Sequence, residues 1–197
     1  MTRSISRSVL MTLWGCLIAP SVSWSADIAQ FSLAGVRLGM SPEEARSAAS
    51  TYLHVKEEAF EAAPPWNDPL MGRPLSKWMT YTSPDLELKI SFEVSNPEDQ
   101  SSALVVASVS YKPLSAEQAL NLKESAVREY GEPSDRTMGD GAILLWCSQP
   151  QAGQCQWDNP GASYSSEYGL TLDDPRLREA YHEAIERKLN RIQRDKP

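Results

Sequence analysis

The residues that could do chemistry in this 197-residue chain are few, and they form no complete catalytic set. The only histidines are His54 and His182. The run His182-Glu183-Ala-Ile-Glu186 has part of the spacing of a zinc-binding helix, but Glu186 stands where that motif has its second histidine. A catalytic zinc normally takes three protein ligands, and no other histidine lies nearby. We therefore predict no metal site and no bound cofactor.

The sequence also lacks the motif of a hydrolase that uses an activated nucleophile. The sequence contains no G-x-S-x-G turn, and a triad would have to use one of the two histidines as its base. Cys147 or Cys155 would be nucleophilic only if unpaired. The two carboxylates of a glycosidase leave no local pattern, so a hydrolase of unrecognised type stays an alternative. We predict no catalytic residue.

The cysteines point to an oxidising compartment. Cys16 lies in an apolar N-terminal segment, which leaves Cys147 and Cys155, an even number. We predict that these two form a disulfide. A hairpin closed by this bond would place Leu145 opposite Trp157 on one face. Two unpaired buried thiols are the alternative.

The first 25 residues have the pattern of an export signal. Arg3 and Arg7 precede an apolar run, residues 9–19, that is too short to span a bilayer. With cleavage after Ser25 the mature chain has 172 residues, and losing two arginines changes the charge from −7 to −9. We predict a periplasmic or secreted protein. Lipidation of Cys16 would instead tether it to a membrane.

The composition excludes two classes of function. An acidic chain is a poor ligand for nucleic acid, whose phosphates require clustered Lys and Arg. No second apolar run is long enough for a transmembrane helix. One basic stretch, residues 187–197, ends the chain. It fits the dipole of a helix C-terminus, and a docking surface for an acidic partner or anionic lipid is the alternative.

Two similar stretches predict an α+β fold. Ser41-Pro-Glu-Glu44 and Ser115-Ala-Glu-Gln118 are capping boxes that start helices. Strict alternation over residues 86–94 predicts a half-buried antiparallel strand. Each half therefore has a capped helix and antiparallel strands, and a third helix follows Asp174. The predicted organisation is a signal (1–25), a first half (26–112) and a second half with the disulfide hairpin and C-terminal helix (113–197). One shared sheet and two subdomains are both open.

The phrase Gly35-Val-Arg-Leu-Gly-Met-Ser-Pro-Glu-Glu44 resembles the opening of exported bacterial α+β proteins of the BamE/SmpA-like and β-lactamase-inhibitor-like type. Tyr130-Gly-Glu-Pro133 is similar to the helix ending of the same group. The resemblance implies small modules that bind other envelope proteins without catalysis. The chain departs from that pattern because its first helix lacks a following Gly-x-Pro and a proline-rich segment, residues 60–76, intervenes.

Candidate binding residues are therefore side chains in the predicted loops: Trp66, Asp68, Tyr164 and Tyr168. Tryptophan and tyrosine bury a large area at little entropic cost. Trp78 and Trp157 are interpreted as core residues of the sheet. We predict a non-enzymatic protein-binding module, such as an inhibitor, an immunity-type protein or an envelope-assembly accessory. It would contact its partner through residues 60–76 and 158–168, and a small-ligand carrier is a further alternative.

Overall fold

A computed structural model describes residues 28–137, 142–148, 150–151, 154–156 and 158–194. The predicted export signal, Cys16 and Trp157 lie outside these residues. The described chain contains three α-helices and ten strands, in the order α1 Pro42–Leu53, β1 Glu61–Ala62, β2 Trp66–Asn67, β3 Pro74–Leu75, β4 Trp78–Thr82, β5 Leu86–Val94, β6 Leu104–Pro113, α2 Ala116–Tyr130, β7 Asp135–Thr137, β8 Ile143–Cys147, β9 Gly161–Ser165, β10 Gly169–Asp173 and α3 Pro175–Arg194.

Eight of these strands form one antiparallel sheet with the order β1-β4-β5-β6-β10-β9-β8-β7. The strands before α2 and those after it form two meanders, and the meanders join where β6 pairs with β10. The α+β prediction is confirmed, and the two halves share a single sheet. The short strands β2 and β3 pair separately.

The two faces of the sheet differ in chemistry because side chains alternate along every strand. On one face an apolar row crosses six strands: Met79, Ile90, Val109, Leu172, Ala162 and Trp146. Helices α1 and α2 cover this face, and their Ala45, Ala49 and Ala126 belong to the same core. The adjacent row on the other face is mostly polar: Thr80, Lys89, Ser110, Thr171, Ser163 and Leu145.

The helix starts follow from capping chemistry, with one difference between them. In α1 the Glu44 nitrogen donates to Ser41 Oγ at 3.2 Å and the Ser41 nitrogen donates to Glu44 Oε2 at 2.8 Å, which confirms the predicted box. In α2 the Gln118 nitrogen donates to Ser115 Oγ at 3.2 Å, but Gln118 Oε1 has no partner. The second box is therefore only half formed.

The disulfide between Cys147 and Cys155 is present, with 5.7 Å between the two Cα atoms. The hairpin predicted around it is wrong. Strand β8 pairs with β9, so Leu145 lies opposite Ser163. Among the described residues between the cysteines, Gln151 and Gln154 form an isolated bridge. Cys155 lies outside the strands, so the bond joins β8 to a loop.

Phe31-Ser-Leu33 and Val36-Arg-Leu38 alternate apolar and polar residues, which predicts a short first strand, and this prediction is wrong. Leu33 and Val36 bridge each other around a tight turn. Ala34 and Gly35 occupy that turn with φ of 53° and 78°, which a strand residue does not adopt. Two positive-φ residues between bridged neighbours are typical of a type I′ turn.

Candidate partner-binding site

A twisted ribbon at the edge of the sheet carries two exposed tryptophans. Strands β1 and β4 pair, and the Ala63 nitrogen continues this ladder by donating to the Trp78 carbonyl at 2.9 Å. Farther along the ribbon, Trp66 pairs with Leu75. The side chain of Trp66 is 53% exposed and that of Trp78 is 38% exposed. Large aromatic rings left in solvent on ordered backbone are typical of interaction sites.

The tip of the ribbon is fixed by a buried carboxylate. Asp68 is only 1% exposed. Its Oδ1 accepts from the backbone nitrogens of Leu70 at 2.9 Å and Met71 at 3.1 Å. Its Oδ2 accepts from the Tyr181 hydroxyl at 2.7 Å and lies 3.1 Å from Lys77 Nζ. Both oxygens are therefore satisfied by the protein itself.

Lys77 connects this carboxylate to the sheet. Its Nζ lies 3.1 Å from Glu93 Oε2 on β5 and 3.5 Å from the centre of the Tyr181 ring. A partly buried ammonium needs such compensation because removing it from water is costly. The cluster of Asp68, Lys77, Glu93 and Tyr181 therefore ties the ribbon, β5 and α3 together.

The pKa of Asp68 reflects two opposing effects. Burial raises the pKa, but hydrogen bonds from Tyr181, the Met71 nitrogen, Lys77 and the Leu70 nitrogen outweigh it, so the pKa lies below the ordinary value. Burial also raises the pKa of Tyr181 far above its usual range, and the hydrogen bond to Asp68 adds to this. At neutral pH the pair is a carboxylate and a neutral phenol, which suits a structural link rather than proton transfer.

Apolar packing against α3 also supports the tip of the ribbon. Leu70, Met71 and Leu75 form a second core with Tyr181 and Ala184 of α3. The Lys188 ammonium donates to the Pro69 carbonyl, and the Arg73 guanidinium donates to the Ser102 carbonyl. The proline-rich segment predicted as a long loop is thus an ordered ribbon anchored on two sides.

The structure does not bring the four predicted binding residues together. Trp66 is exposed, but Asp68 lies in the interior. Tyr164 is also buried, and its hydroxyl donates to the Ala119 carbonyl at 2.9 Å. Tyr168 is 64% exposed, next to Gly169, which packs against Tyr111 at the far end of the sheet from Trp78. Buried Asp68 and Tyr164 are supports and not contact residues, because a partner cannot reach them.

Sequence reasoning missed Trp78 as a surface residue. It was interpreted as core, but Met79 and Tyr81 point to the helix-covered face, so Trp78 faces the other side with Thr80. Lys89, directly opposite Thr80, places its ammonium 5.8 Å from the Trp78 ring. The alternation over residues 78–82 was the available signal.

Other chemistry is sparse among the described residues. Within them no group of three His, Cys, Asp or Glu side chains could hold a metal ion. His54 caps the end of α1 in a left-handed conformation, and His182 is exposed on α3. Of the described helices, none combines the length and apolar character needed to cross a bilayer.

Comparison with protein-family models, with curated proteins and with solved structures gave no match.

Proposed function

We propose that this chain is an exported, non-enzymatic protein-binding module whose partner packs on Trp66 and Trp78. The supporting observation is two exposed tryptophans on one ribbon whose tip is fixed by the buried Asp68. Tryptophan dominates many binding hot spots because its ring covers a large area with few torsions to order. A ribbon held in one geometry before binding also avoids a further ordering cost.

The polar sheet face extends this surface. From Trp78 a partner would continue onto Thr80, Lys89 and Ser110, which lie side by side across β4, β5 and β6. The hydroxyls of Thr80 and Ser110 can donate or accept hydrogen bonds, and the Lys89 ammonium can donate them. An inhibitor, immunity-type or assembly accessory protein would act here by occupying a surface of its partner, and the resemblance at residues 35–44 agrees with this class.

Export is supported by the bond between Cys147 and Cys155, since such bonds persist in oxidising compartments. The intact mass of the protein purified from its host envelope tests the predicted processing. A mature chain starting at Ala26 is expected. A lipid-modified Cys16 would show a tethered protein instead.

The binding test uses the full chain with a C-terminal tag, expressed in its own host, mildly cross-linked and purified. Trp66→Ala and Trp78→Ala are compared with the wild type. Tyr168→Ala is the matched control, because Tyr168 is an even more exposed aromatic residue at the other end of the sheet. Mass spectrometry should find one partner at near-equal stoichiometry with the wild type and with Tyr168→Ala, and much less of it with either tryptophan variant.

Once the partner is purified, its affinity for the wild type and for each variant can be measured. Removing a hot-spot side chain that contributes about 2 kcal/mol raises the Kd about 30-fold. We expect at least this loss for Trp66→Ala and less than about threefold for Tyr168→Ala. Equal binding by all variants would contradict the proposed surface. A wild-type protein without any partner would favour the hydrolase and small-ligand-carrier alternatives, and activity screening would follow.

A further inference from the structure

The C-terminal end of α3 projects beyond the packed part of the fold. Tyr181 and Ala184 are buried, but every side chain from position 186 to position 194 is exposed. The apolar Leu189 and Ile192 are 53% and 49% exposed. A helix in a globular protein gains most of its stability by packing one face against a core. No face of this helix end is buried among the described residues, which leaves it open to another molecule.

This helix end is the basic part of an acidic chain. Residues 187–194 contain three arginines and one lysine but no carboxylate, in a chain of net charge −7. Arg187 is partly neutralised, because it pairs with Glu98 between β5 and β6 at 2.6 Å. Arg191 and Arg194 form no ion pair with any other described residue. Two guanidinium groups are therefore available to an acidic group of another molecule.

The arginines share one side of the helix. Arg187, Arg191 and Arg194 have the spacing i, i+4, i+7, which places them on one face. Together with Asn190 and Gln193 they line an open groove that contains no carboxylate. All five side chains can donate N–H groups. Such a row suits carboxylates, because each guanidinium can make two parallel hydrogen bonds to one of them.

The same helix end contacts the tip of the ribbon that carries Trp66. The Lys188 ammonium donates to the Pro69 carbonyl, and three residues of extended chain, from Trp66 to Pro69, span at most about 11 Å. Arg191 and Arg194 follow Lys188 by about 4.5 and 9 Å along the helix axis. A standard interface covers about 800 Å² on each partner, which is roughly 30 Å across. A partner that packs on Trp66 would therefore reach both arginines.

A lipid surface fits this helix end less well than a protein surface does. Tyr181 and Ala184 already pack in a core with the ribbon, so only Leu189 and Ile192 could enter a bilayer. The strength with which an amphipathic helix binds a membrane scales with the apolar area that it buries there. The rest of the chain is acidic, and anionic headgroups would repel it. A local group of carboxylates on a protein meets neither difficulty.

We propose that the end of α3 is a second contact surface for the partner that packs on Trp66, and that this part of the partner is acidic. Carboxylates of the partner pair with Arg191 and Arg194, and an apolar side chain of the partner covers Ile192. Opposite charge is needed there, because covering two guanidinium groups without it would be costly. The inference rests on the proposed function, since it names the chemistry of the same partner.

The test measures association rates with the partner that co-purifies in a Trp66-dependent manner. The double variant Arg191→Glu/Arg194→Glu is compared with Arg37→Glu/Arg128→Glu, which makes the same change of charge at two exposed arginines elsewhere. Near physiological salt we expect association to slow at least about tenfold for the first pair and less than about threefold for the second. Arg191→Lys/Arg194→Lys keeps the charge and should restore most of the rate. Wild-type association of a folded Arg191→Glu/Arg194→Glu protein would overturn the proposal.

Salt dependence decides the question even if the charge-reversed chain does not fold. Opposite charges attract less at high ionic strength, so added NaCl should slow wild-type association. Association that salt does not slow would overturn the proposal. Trp66→Ala should instead act mainly on the dissociation rate and leave the salt dependence unchanged.

The outcomes separate this inference from the proposed function. If Trp66→Ala loses the partner but the charge-reversed pair associates like the wild type, the ribbon remains the binding surface and the acidic contact is wrong. If no partner depends on Trp66, both proposals fail. Sedimentation with vesicles of equal phosphatidylglycerol and phosphatidylcholine tests the lipid alternative. Vesicle binding that charge reversal abolishes, with partner association unchanged, would assign the helix end to a membrane and overturn the proposal.

Discussion

Two buried polar side chains, Asp68 and Gln118, lie toward opposite ends of the sheet. They differ in how many hydrogen-bond partners the protein gives them. Each oxygen of Asp68 has two donors, supplied by the ribbon, Lys77 and α3. The Gln118 oxygen has none. From sequence, Asp68 was predicted to contact a partner and Gln118 to cap a helix. In the structure Asp68 is internal and fully hydrogen-bonded, and the buried Gln118 oxygen caps nothing.

The difference separates a buried polar group that supports the fold from one that does not. A buried group that the protein itself satisfies fixes local geometry, and here it presents Trp66 without touching a partner. A buried group left unsatisfied lowers stability unless another molecule completes it. The comparison predicts opposite stability changes when the two polar groups are removed.

The largest expected effect is on Asp68. Asp68→Ala leaves two backbone N–H groups and the Tyr181 hydroxyl without their acceptor, so the free energy of unfolding should fall by about 3–5 kcal/mol. Urea denaturation measures it. The control Asp85→Ala changes an exposed carboxylate and should stay within about 0.5 kcal/mol of the wild type. A fall of less than about 1 kcal/mol in the free energy of unfolding of Asp68→Ala would contradict the contrast with Gln118.

The pH dependence of stability tests the charge on Asp68. Its pKa in the folded chain is lower than the ordinary value of 3.8, so the folded state favours the ionised form. This contribution is fully present above the unfolded pKa and is lost as pH falls below 3.8 through the folded pKa. The stability gap between wild type and Asp68→Asn should therefore narrow between pH 5 and pH 2, both chosen to bracket that range. A constant gap would show that the charge of Asp68 adds nothing.

Elements defined by local pattern were predicted well. Strict alternation identified β5 with the bounds that the structure gives, Leu86–Val94. The Ser41 box placed the start of α1. An even cysteine count gave the disulfide. In each case the deciding interactions lie within a few residues or depend only on composition.

Features that depend on distant residues were missed. Tyr181 lies 113 positions from the Asp68 it contacts, and the surrounding prolines suggest an exposed loop. Strand β9, GASYS, has only Ala162 and Tyr164 on the core face, so its composition does not distinguish it from a polar loop. The choice of β9 as partner of β8 comes from the sheet as a whole.

Gln118→Leu should have the opposite sign to Asp68→Ala. Leucine has a similar volume and removes an unsatisfied buried oxygen, so the free energy of unfolding should rise by about 1–2 kcal/mol. Urea denaturation beside Gln193→Leu measures it, since that exposed position should change by less than about 0.5 kcal/mol. A destabilised Gln118→Leu protein would mean that the amide supports the fold, and the contrast with Asp68 would fail.

The smallest expected effect on stability is at Trp66, the residue that Asp68 supports. Just over half of Trp66 is in solvent, so Trp66→Ala should lower the free energy of unfolding by only about 1 kcal/mol. Its effect on partner binding should be large. Thermal unfolding and partner affinity, measured on the same Trp66→Ala sample, separate the two quantities. Loss of both together would make Trp66 part of the fold. Loss of binding alone would establish that the buried end of the ribbon carries stability and the exposed end carries recognition.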